Sequence, residues 1–299
     1  MERSVLPSGK VGYVALVGRP NTGKSTFLNT VLNYHLAPVS RKPQTTRQRL
    51  LGVYTEDGAQ ILFLDTPGIH EGGSELDGAM ASAIRRSLQE ADVVLCLVDP
   101  TRPPGAEDQL AARTAAAAAK PVIIGLNKSD LATAAQQAEA ERFWRELIPA
   151  GAVLRFCALQ LRTLKPVLQA LRERLPEGPF LCPPDTLTDA FERVLGTELI
   201  REALLENLEE EVPYATAVVI DAWEEEPDRR RIRATLHVER APQKGILIGA
   251  GGQMIKRLRL AARKKLEELC GMRVELTLWV KVTPDWRRNP SALREFGYL

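Results

Sequence analysis

Cysteine, histidine and long apolar runs are all scarce in this 299-residue chain. The four cysteines, Cys96, Cys157, Cys182 and Cys270, stand far apart and form no CxxC pair, and there are three histidines. That spacing argues against a structural zinc site and suits a reducing compartment. No apolar stretch approaches the ~18 residues that a membrane span requires. The segment Met1 to Lys10 is short and polar and runs straight into a strand-like stretch, unlike a secretory signal. Nor does one charge dominate: 40 lysines and arginines face 38 acids, a net charge of +2 that points to no partner for the whole chain. What is present is ordinary for a soluble intracellular protein, with 44% hydrophobic and 26% charged residues. That is enough for roughly two domains of ~150 residues and a core without staples.

From Val11 to about Leu175 apolar runs alternate with helix-compatible stretches. The predicted strands are Val11–Val17, Leu50–Tyr54, Ile61–Asp65, Val93–Asp99, Val122–Asn127 and Ala152–Cys157, with helices starting near Lys24, Ser74, Glu107, Ala134 and Lys165. This alternation predicts an α/β domain with a mostly parallel sheet over residues 1–175. The run Ala115–Ala119 reads as one side of a helix packed closely on that sheet. Leu175–Asp185 holds four prolines and a glycine in eleven residues, the composition of a linker, assigned to 176–185. Residues 186–299 follow another pattern: a long helix over Thr186–Glu211, strands Tyr214–Ala222 and Arg231–Val238, a short turn or helix, a helix from Gly252 to about Leu269, and a strand Arg273–Val282. The order is αββααβ, a smaller α+β domain.

The segment Gly18, Arg19, Pro20, Asn21, Thr22, Gly23, Lys24, Ser25, Thr26 contains GxxxxGK[ST] between an apolar strand and a helix, the context that motif requires. Glycines let the backbone wrap the phosphates, and loop amides at a helix N-terminus donate to them. Lys24 places a charge between the β- and γ-phosphates, and Ser25 offers an oxygen to Mg²⁺. Asp65-Thr-Pro-Gly68 ends another strand, with Asp65 placed for Mg²⁺ and the Gly68 amide for the γ-phosphate. Asn127-Lys-Ser-Asp130 ends a third. A carboxylate at Asp130 accepts from both N1–H and the 2-amino group of guanine. Adenine lacks that pair and would leave the carboxylate desolvated and unpaired. Asn127 braces the loop, and the stem of Lys128 lies over the base. These residues make GTP and GDP the expected ligands. Thr45 and Thr46 lie in the polar segment Ser40–Arg47, where a loop would cover the phosphates.

Motifs in this order resemble the translation-factor-like GTPases. The resemblance makes Thr46 the switch residue whose hydroxyl completes the Mg²⁺ shell, and with Lys24 and Gly68 it forms the catalytic set. Two departures follow. The loop that meets the guanine oxygen usually reads Ser-Ala and here is Cys157-Ala158, which keeps the Ala158 amide but replaces a hydroxyl by a weak thiol donor. The position after Gly68, often a glutamine that orients the attacking water, is Ile69, so intrinsic turnover is expected to be slow. Some relatives with such a replacement use K⁺ held by a phosphate-loop asparagine. Asn21 stands there, as a K⁺ ligand or as a loop brace. His70 reads as a solvated histidine in a mobile loop rather than a general base.

The αββααβ order matches the bacterial KH fold, whose GxxG turn clamps about four nucleotides. Gly249, Ala250, Gly251 and Gly252 supply the turn, and the helix that follows aims its N-terminal dipole at a phosphate. From Arg229 to Lys265 there are twelve basic residues and one acid, Glu239, while Glu198–Glu211 carries six glutamates against Arg201. Segregation on this scale predicts a basic face for RNA. Relatives usually carry a lysine inside GxxG. With Ala250 there, Lys244, Lys256 and Arg257 must supply the attraction.

The phosphate loop, the RKPQTTR segment, DTPG, NKxD, the IGxGGxxIK helix and the closing LWVKV…WR…GY (Leu278 to Tyr298) fall in the order of the Era family, to which the chain is similar over almost its whole length. That resemblance implies a cytoplasmic monomer that binds the 3′ end of small-subunit ribosomal RNA and assists assembly of the 30S subunit. It further implies loose attachment to the cytoplasmic membrane face. A static RNA-binding protein with a structural nucleotide is the rival that Ile69 and Cys157 would favour. A tRNA-modifying GTPase would need a one-carbon-cofactor domain and a reactive C-terminal cysteine, neither of which is present.

Overall fold

The computed structural model describes residues 6–40, 42, 45–56 and 58–299; Arg41, Pro43 and Gln44 of the RKPQTTR segment, and Met1–Val5 of the polar start, lie outside the described residues. The chain divides into two compact units. One gathers the residues up to Ala37 with Thr46–Gly72 and Met80–Asp189, and the other Pro38–Thr45, Gly73–Ala79 and Ala190–Leu299.

The first unit is built on strands β1 (Ser8–Val17), β2 (Leu50–Glu56), β3 (Ala59–Asp65), β4 (Val93–Val98), β5 (Val122–Leu126), β6 (Ala152–Arg155) and β7 (Glu177–Pro179). The sheet runs β2-β3-β1-β4-β5-β6, parallel except for β2 against β3 and for β7, which pairs with the start of β1. Helices α1 (Lys24–Leu32), α2 (Glu75–Glu90), α3 (Ala106–Ala117), α4 (Ala134–Leu147) and α5 (Leu161–Arg174) occur between or after the strands. Every residue of β3, β4 and β5 is buried. This is why these strands read as unbroken apolar runs instead of alternating. Leu16 pairs with Asp65, and Val98 with Leu126, so the loops after β1, β3 and β5 open at one edge of the sheet. Ligands bind at such C-terminal strand edges.

Three expectations are corrected. The alanines packed on the sheet are Ala111, Ala112 and Ala115, in one cluster with Val94, Ile124 and Trp144. Of the run Ala115–Ala119 the rest is partly or fully exposed, and Ala119 leaves the helix at φ 53°. Residues 176–185 are not a free linker. Gly178 pairs with Gly9, Phe180 is buried among Val11, Leu51 and Leu62, and the Gln60 side-chain oxygen accepts the amides of Leu181 and Cys182 at 2.8 and 3.0 Å. Prolines suit this role, since they hold the chain extended and cost nothing at an edge that donates no ladder bond. The long helix starts late for a related reason. Leu187 accepts the Val53 amide at 2.8 Å and Thr188 donates to the Leu51 carbonyl at 2.6 Å, so the helix, α6, spans Glu192–Asn207.

The second unit continues with β8 (Ala217–Glu225), β9 (Arg229–Val238), α7 (Ala241–Ile248), α8 (Gln253–Cys270), β10 (Arg273–Val282) and α9 (Pro290–Glu295). The sheet order is β10-β9-β8, with β10 parallel and β8 antiparallel to β9. Ile200 and Leu204 of α6 and Leu258, Ala262 and Leu266 of α8 pack with Ile220, Ile232, Leu236 and Leu276 of the sheet. This is the expected αββααβ order. The closing motif is explained by packing: Trp286 is wholly buried, donates to the Ala215 carbonyl at 2.9 Å and lies against Phe296 and Tyr298.

Candidate functional site

The loop after β1 curls over the sheet edge and enters α1 at Gly23, whose φ of 94° is left-handed. A Cβ at Gly23 would lie 2.3 Å from the Asn127 amide nitrogen, and one at Gly68 would lie 2.8 Å from the Pro20 backbone. Both glycines are therefore demanded by close approach of loops from separate strands.

Lys24 is buried, and its ammonium donates to the carbonyls of Gly18 and Arg19 at 3.1 Å each. Burial pulls its pKa down to about 8, against the pull of the Asp65 carboxylate. The Ser25 hydroxyl donates to Asp65 Oδ2 at 2.8 Å and lies 2.9 Å from the Thr46 hydroxyl, which itself is 3.5 Å from the same carboxylate oxygen. Three residues from separate stretches of chain thus bring hard oxygens to one point. Thr22 is buried with its hydroxyl on the Arg19 carbonyl at 3.1 Å, while Thr26 sits partly exposed in the first turn of α1.

Arg19 plays a part that its place in the motif does not reveal. Its guanidinium is turned to the Asp99 carbonyl at 2.8 Å and the buried Asp108 carboxylate at 3.1 Å. Burial pushes the Asp108 carboxyl above its usual range, with Arg19 opposing. Asp99, at the end of β4, was not expected as a site residue and is a junction. Its Oδ2 accepts from Lys128 at 2.5 Å and its Oδ1 from the Thr101 hydroxyl at 2.6 Å. Burial would raise its carboxyl, but the bonds from Lys128 and Thr101 outweigh that and hold it below the usual carboxylate value. Lys128 also reaches the Asn21 carbonyl at 3.0 Å. An acid at the mouth of a buried parallel strand is the signal that would have found Asp99.

Asn127 links two loops: its amide donates to the Thr22 carbonyl, and its Oδ1 accepts the Ala158 amide, both at 2.8 Å. The amide expected to face the guanine oxygen therefore has a protein partner in this structure. Asp130 is exposed and accepts from the Cys157 thiol; burial first, then that bond, raises the thiol's pKa. The thiol stands where a serine hydroxyl was expected to brace the turn. Thr163, unforeseen from sequence, completes the brace, accepting the Cys157 amide at 3.0 Å and donating to the Cys157 carbonyl at 2.9 Å. Ile69 is buried in the core with its amide on the Gly18 carbonyl at 3.0 Å. It presents no polar group to a water.

In the second unit α7 ends at Gly249, a short turn covers Ala250–Gly252, and α8 begins at Gln253. Gly251 and Gly252 take φ of 56° and 74°, and Cβ atoms there would meet nothing within 4 Å. The glycines thus serve conformation and leave open space, as a backbone clamp needs. Ala250 is exposed, Lys244 half-exposed and Lys256 exposed, whereas Arg257 donates to Asn207 Oδ1 at 2.8 Å. The two stretches therefore differ: the residues around the phosphate-loop motif are bound into a network, while Gly251 and Gly252 of the GxxG turn stand open.

A family of 50S ribosome-binding GTPases matches residues 13–128, and the KH domain family matches residues 211–287. The chain is 40% identical to GTPase Era of Geotalea daltonii over 288 residues, 96% of this chain and 97% of that one. It is 39% identical to GTPase Era of Geobacter metallireducens over 289 residues, with the same shares covered. The fold superimposes on a variant of Aquifex aeolicus Era bound to GDP·AlF4⁻ with a TM-score of 0.90 at 38% identity, covering 97% of this chain and 99% of that one. A structure of Era with MgGDPNP and nucleotides 1506–1542 of 16S ribosomal RNA gives 0.91 at the same identity and coverage. At 40% identity over 96% of its length, and matched by both the GTPase and the KH family models, the chain belongs to the Era family of GTPases.

Proposed function

We propose that this GTPase is a switch that assists small-subunit assembly by binding the single-stranded 3′ end of small-subunit ribosomal RNA. The observation that carries the switch is Thr46. It lies 19 residues from Asp65 and 21 from Ser25, yet its hydroxyl is 2.9 Å from the Ser25 hydroxyl. A loop holding that contact lies over the phosphates. The RNA reading rests on the open turn Gly249–Gly252, the basic helix that follows, and the RNA carried by an Era relative.

In this reading the loop amides and Lys24 hold the β- and γ-phosphates, and Asp130 selects guanine. The hydroxyls of Ser25 and Thr46 and the Asp65 carboxylate form a hard-oxygen set that fits Mg²⁺, which when bound would neutralise charge on the phosphates. The Gly68 amide and Thr46 sense the γ-phosphate, and both relax once it leaves. Turnover is slow because Ile69 orients no water. Asn21, exposed at φ 62° on the rim of the phosphate loop, is the residue that would hold K⁺ there. Equal turnover in K⁺ and Na⁺ would remove that role. The protein acts as a cytoplasmic monomer on the 30S subunit. Weak peripheral membrane contact rests on the family resemblance alone; among the described residues no helix is long and apolar enough to cross a membrane.

The test measures affinity for a ribosomal RNA 3′-end oligomer by fluorescence anisotropy with GDP and with a non-hydrolysable GTP analogue, together with single-turnover hydrolysis with and without that RNA. Affinity is expected to differ between nucleotides and hydrolysis to be faster with RNA. Equal affinities would sink the switch, and no hydrolysis under either condition would favour a static RNA-binding protein.

A further inference from the structure

Asp99 stands one residue past β4, where the Val98 carbonyl accepts the Asn127 amide at 2.8 Å. That bond brings it beside the loop that carries Lys128 and Asp130. Its polar atoms are engaged on three sides. Oδ1 accepts from the Thr101 amide at 3.0 Å and hydroxyl at 2.6 Å, Oδ2 accepts from Lys128 at 2.5 Å, and the backbone carbonyl accepts from Arg19 at 2.8 Å. The Asp99 side chain is 6% exposed, whereas that of Lys128 is 32% exposed.

Two strained stretches of backbone meet on the Lys128 ammonium. Lys128 has φ 55° and Asn21 φ 62°, left-handed conformations that are uncommon outside glycine and persist where the surroundings impose them. The ammonium joins the two, donating to the Asn21 carbonyl at 3.0 Å as well as to Asp99. A lysine stem is flexible and its ammonium strongly hydrated, so by itself it would hold neither loop. A nearly buried carboxylate fixes the far end of that stem through a charge-assisted bond, among the stronger kinds of hydrogen bond. The stem expected to lie over the base is thereby ordered in advance, and the base need not order it on arrival.

We propose that Asp99 is a positioning residue for nucleotide retention: it anchors the Lys128 ammonium so that the guanine loop and the phosphate loop close on GTP or GDP as a single grip. The inference rests on the guanine reading above and adds to it the group that sets how long the nucleotide stays.

The test is Asp99→Asn. Asparagine has one acceptor oxygen where Asp99 uses two, so it can serve Thr101 or Lys128 but not both. The backbone carbonyl on Arg19 is kept. Release of a fluorescent GDP analogue into excess unlabelled GDP should quicken about tenfold. Single-turnover hydrolysis of GTP already bound should not change, because the bonds among Ser25, Thr46 and Asp65 do not pass through Asp99. A merely structural role would lower the unfolding temperature and the active fraction without quickening release, and that result overturns the proposal. Lys128→Met keeps an apolar stem without the ammonium and should also quicken release. Adding Asp99→Asn to it should then change release no further, whereas effects that multiply would show that Asp99 acts by another route. Unchanged release in Lys128→Met would overturn the proposal by itself, whatever the stability of the Asp99 variant. A wild type that releases the ADP analogue as slowly as the GDP analogue would remove the guanine reading instead.

Discussion

In the first unit the polar groups that would meet a nucleotide already hold one another, whereas in the second those that would meet RNA stand open. Lys24, Ser25, Thr46, Asp65, Asn127 and Lys128 each make at least one hydrogen bond to another loop or to the phosphate loop itself. Lys244 and Lys256 have no ion-pair partner among the described residues, and Gly251 and Gly252 in the turn between them border empty space. A small, highly charged ligand is gripped best by dipoles that need not reorganise when it arrives. A long, flexible polyanion is better met by a permissive backbone and a row of cations that can follow it. Damage should accordingly spread through the first site and stay local in the second.

The largest effect should come from Asp130→Ala, which removes both acceptors for the guanine edge. GTP affinity should fall roughly a thousandfold by competition binding, and preference over ATP should nearly vanish. Asp130→Asn sharpens the point: its amide donor would match the carbonyl at position 2 of xanthine, so XTP binding should rise as GTP binding falls. A variant that still selects guanine would mean that specificity resides elsewhere. RNA affinity of the nucleotide-free protein should not change in either variant.

Asp108→Ala is expected to be the next largest, because it strands the buried Arg19 guanidinium beneath the phosphate loop. Breaking a buried pair from one side costs about 3 kcal/mol. Denaturant unfolding of the first unit should show a loss of that order, with weaker GTP binding and no loss in binding of an RNA tetranucleotide. Unchanged stability would mean that Arg19 finds another carboxylate, and the network would be looser than its distances imply.

Lys24 gives an effect whose direction depends on what is measured. Its pKa of about 8 lies below the ~10.4 of an unfolded lysine. Between those values the unfolded chain holds a proton that the folded chain has released, so stability of the nucleotide-free protein should rise with pH across that window. Nucleotide phosphates restore the charge, so binding takes up a proton above pH 8, and affinity for GDP should fall by up to about tenfold per pH unit. Calorimetry in buffers of different ionisation enthalpy would read the proton directly. A flat affinity between roughly pH 7.5 and 9.5 would show that the ammonium is charged throughout.

How far each site was legible follows from the same contrast. Gly18, Lys24, Asp65 and Asn127 could be read because phosphate and guanine chemistry demands those residue types at the ends of parallel strands. Asp108 and Thr163 could not, and Asp99 showed only as an acid at the mouth of a strand, since all three act on other side chains and their partners are brought together by the fold: Asp99 lies 29 residues from Lys128, and Arg19 89 from Asp108. Parallel strands and the αββααβ order were visible as apolar runs and turns. The proline-rich stretch misled because composition reports stiffness and missing donors, properties that linkers share with edge strands. The Gln60 side chain, contributed from β3, holds the amides of Leu181 and Cys182 against the sheet, and no composition shows that bond. In the second unit the clamp was legible as glycines. Charge and the neighbouring glycine turn marked Arg257 as an RNA ligand, but not that its guanidinium also donates to Asn207.

The smallest effect tests the open site by adding to it. Ala250 is exposed between Gly249 and Gly251, and no contact constrains its side chain. Ala250→Lys should therefore be accommodated with stability changed by no more than about 0.5 kcal/mol. One more phosphate contact on a single strand steepens the log–log salt dependence by about 0.7, and affinity for the tetranucleotide should rise roughly three- to tenfold at low salt. GTP turnover without RNA should not move, because Ala250 is not among the residues that would meet the nucleotide. A rise in affinity with no change in salt slope would mean that the lysine acts by packing rather than charge. No rise at all would mean that the phosphate does not pass Ala250, and the clamp would have to be sought along α8 instead.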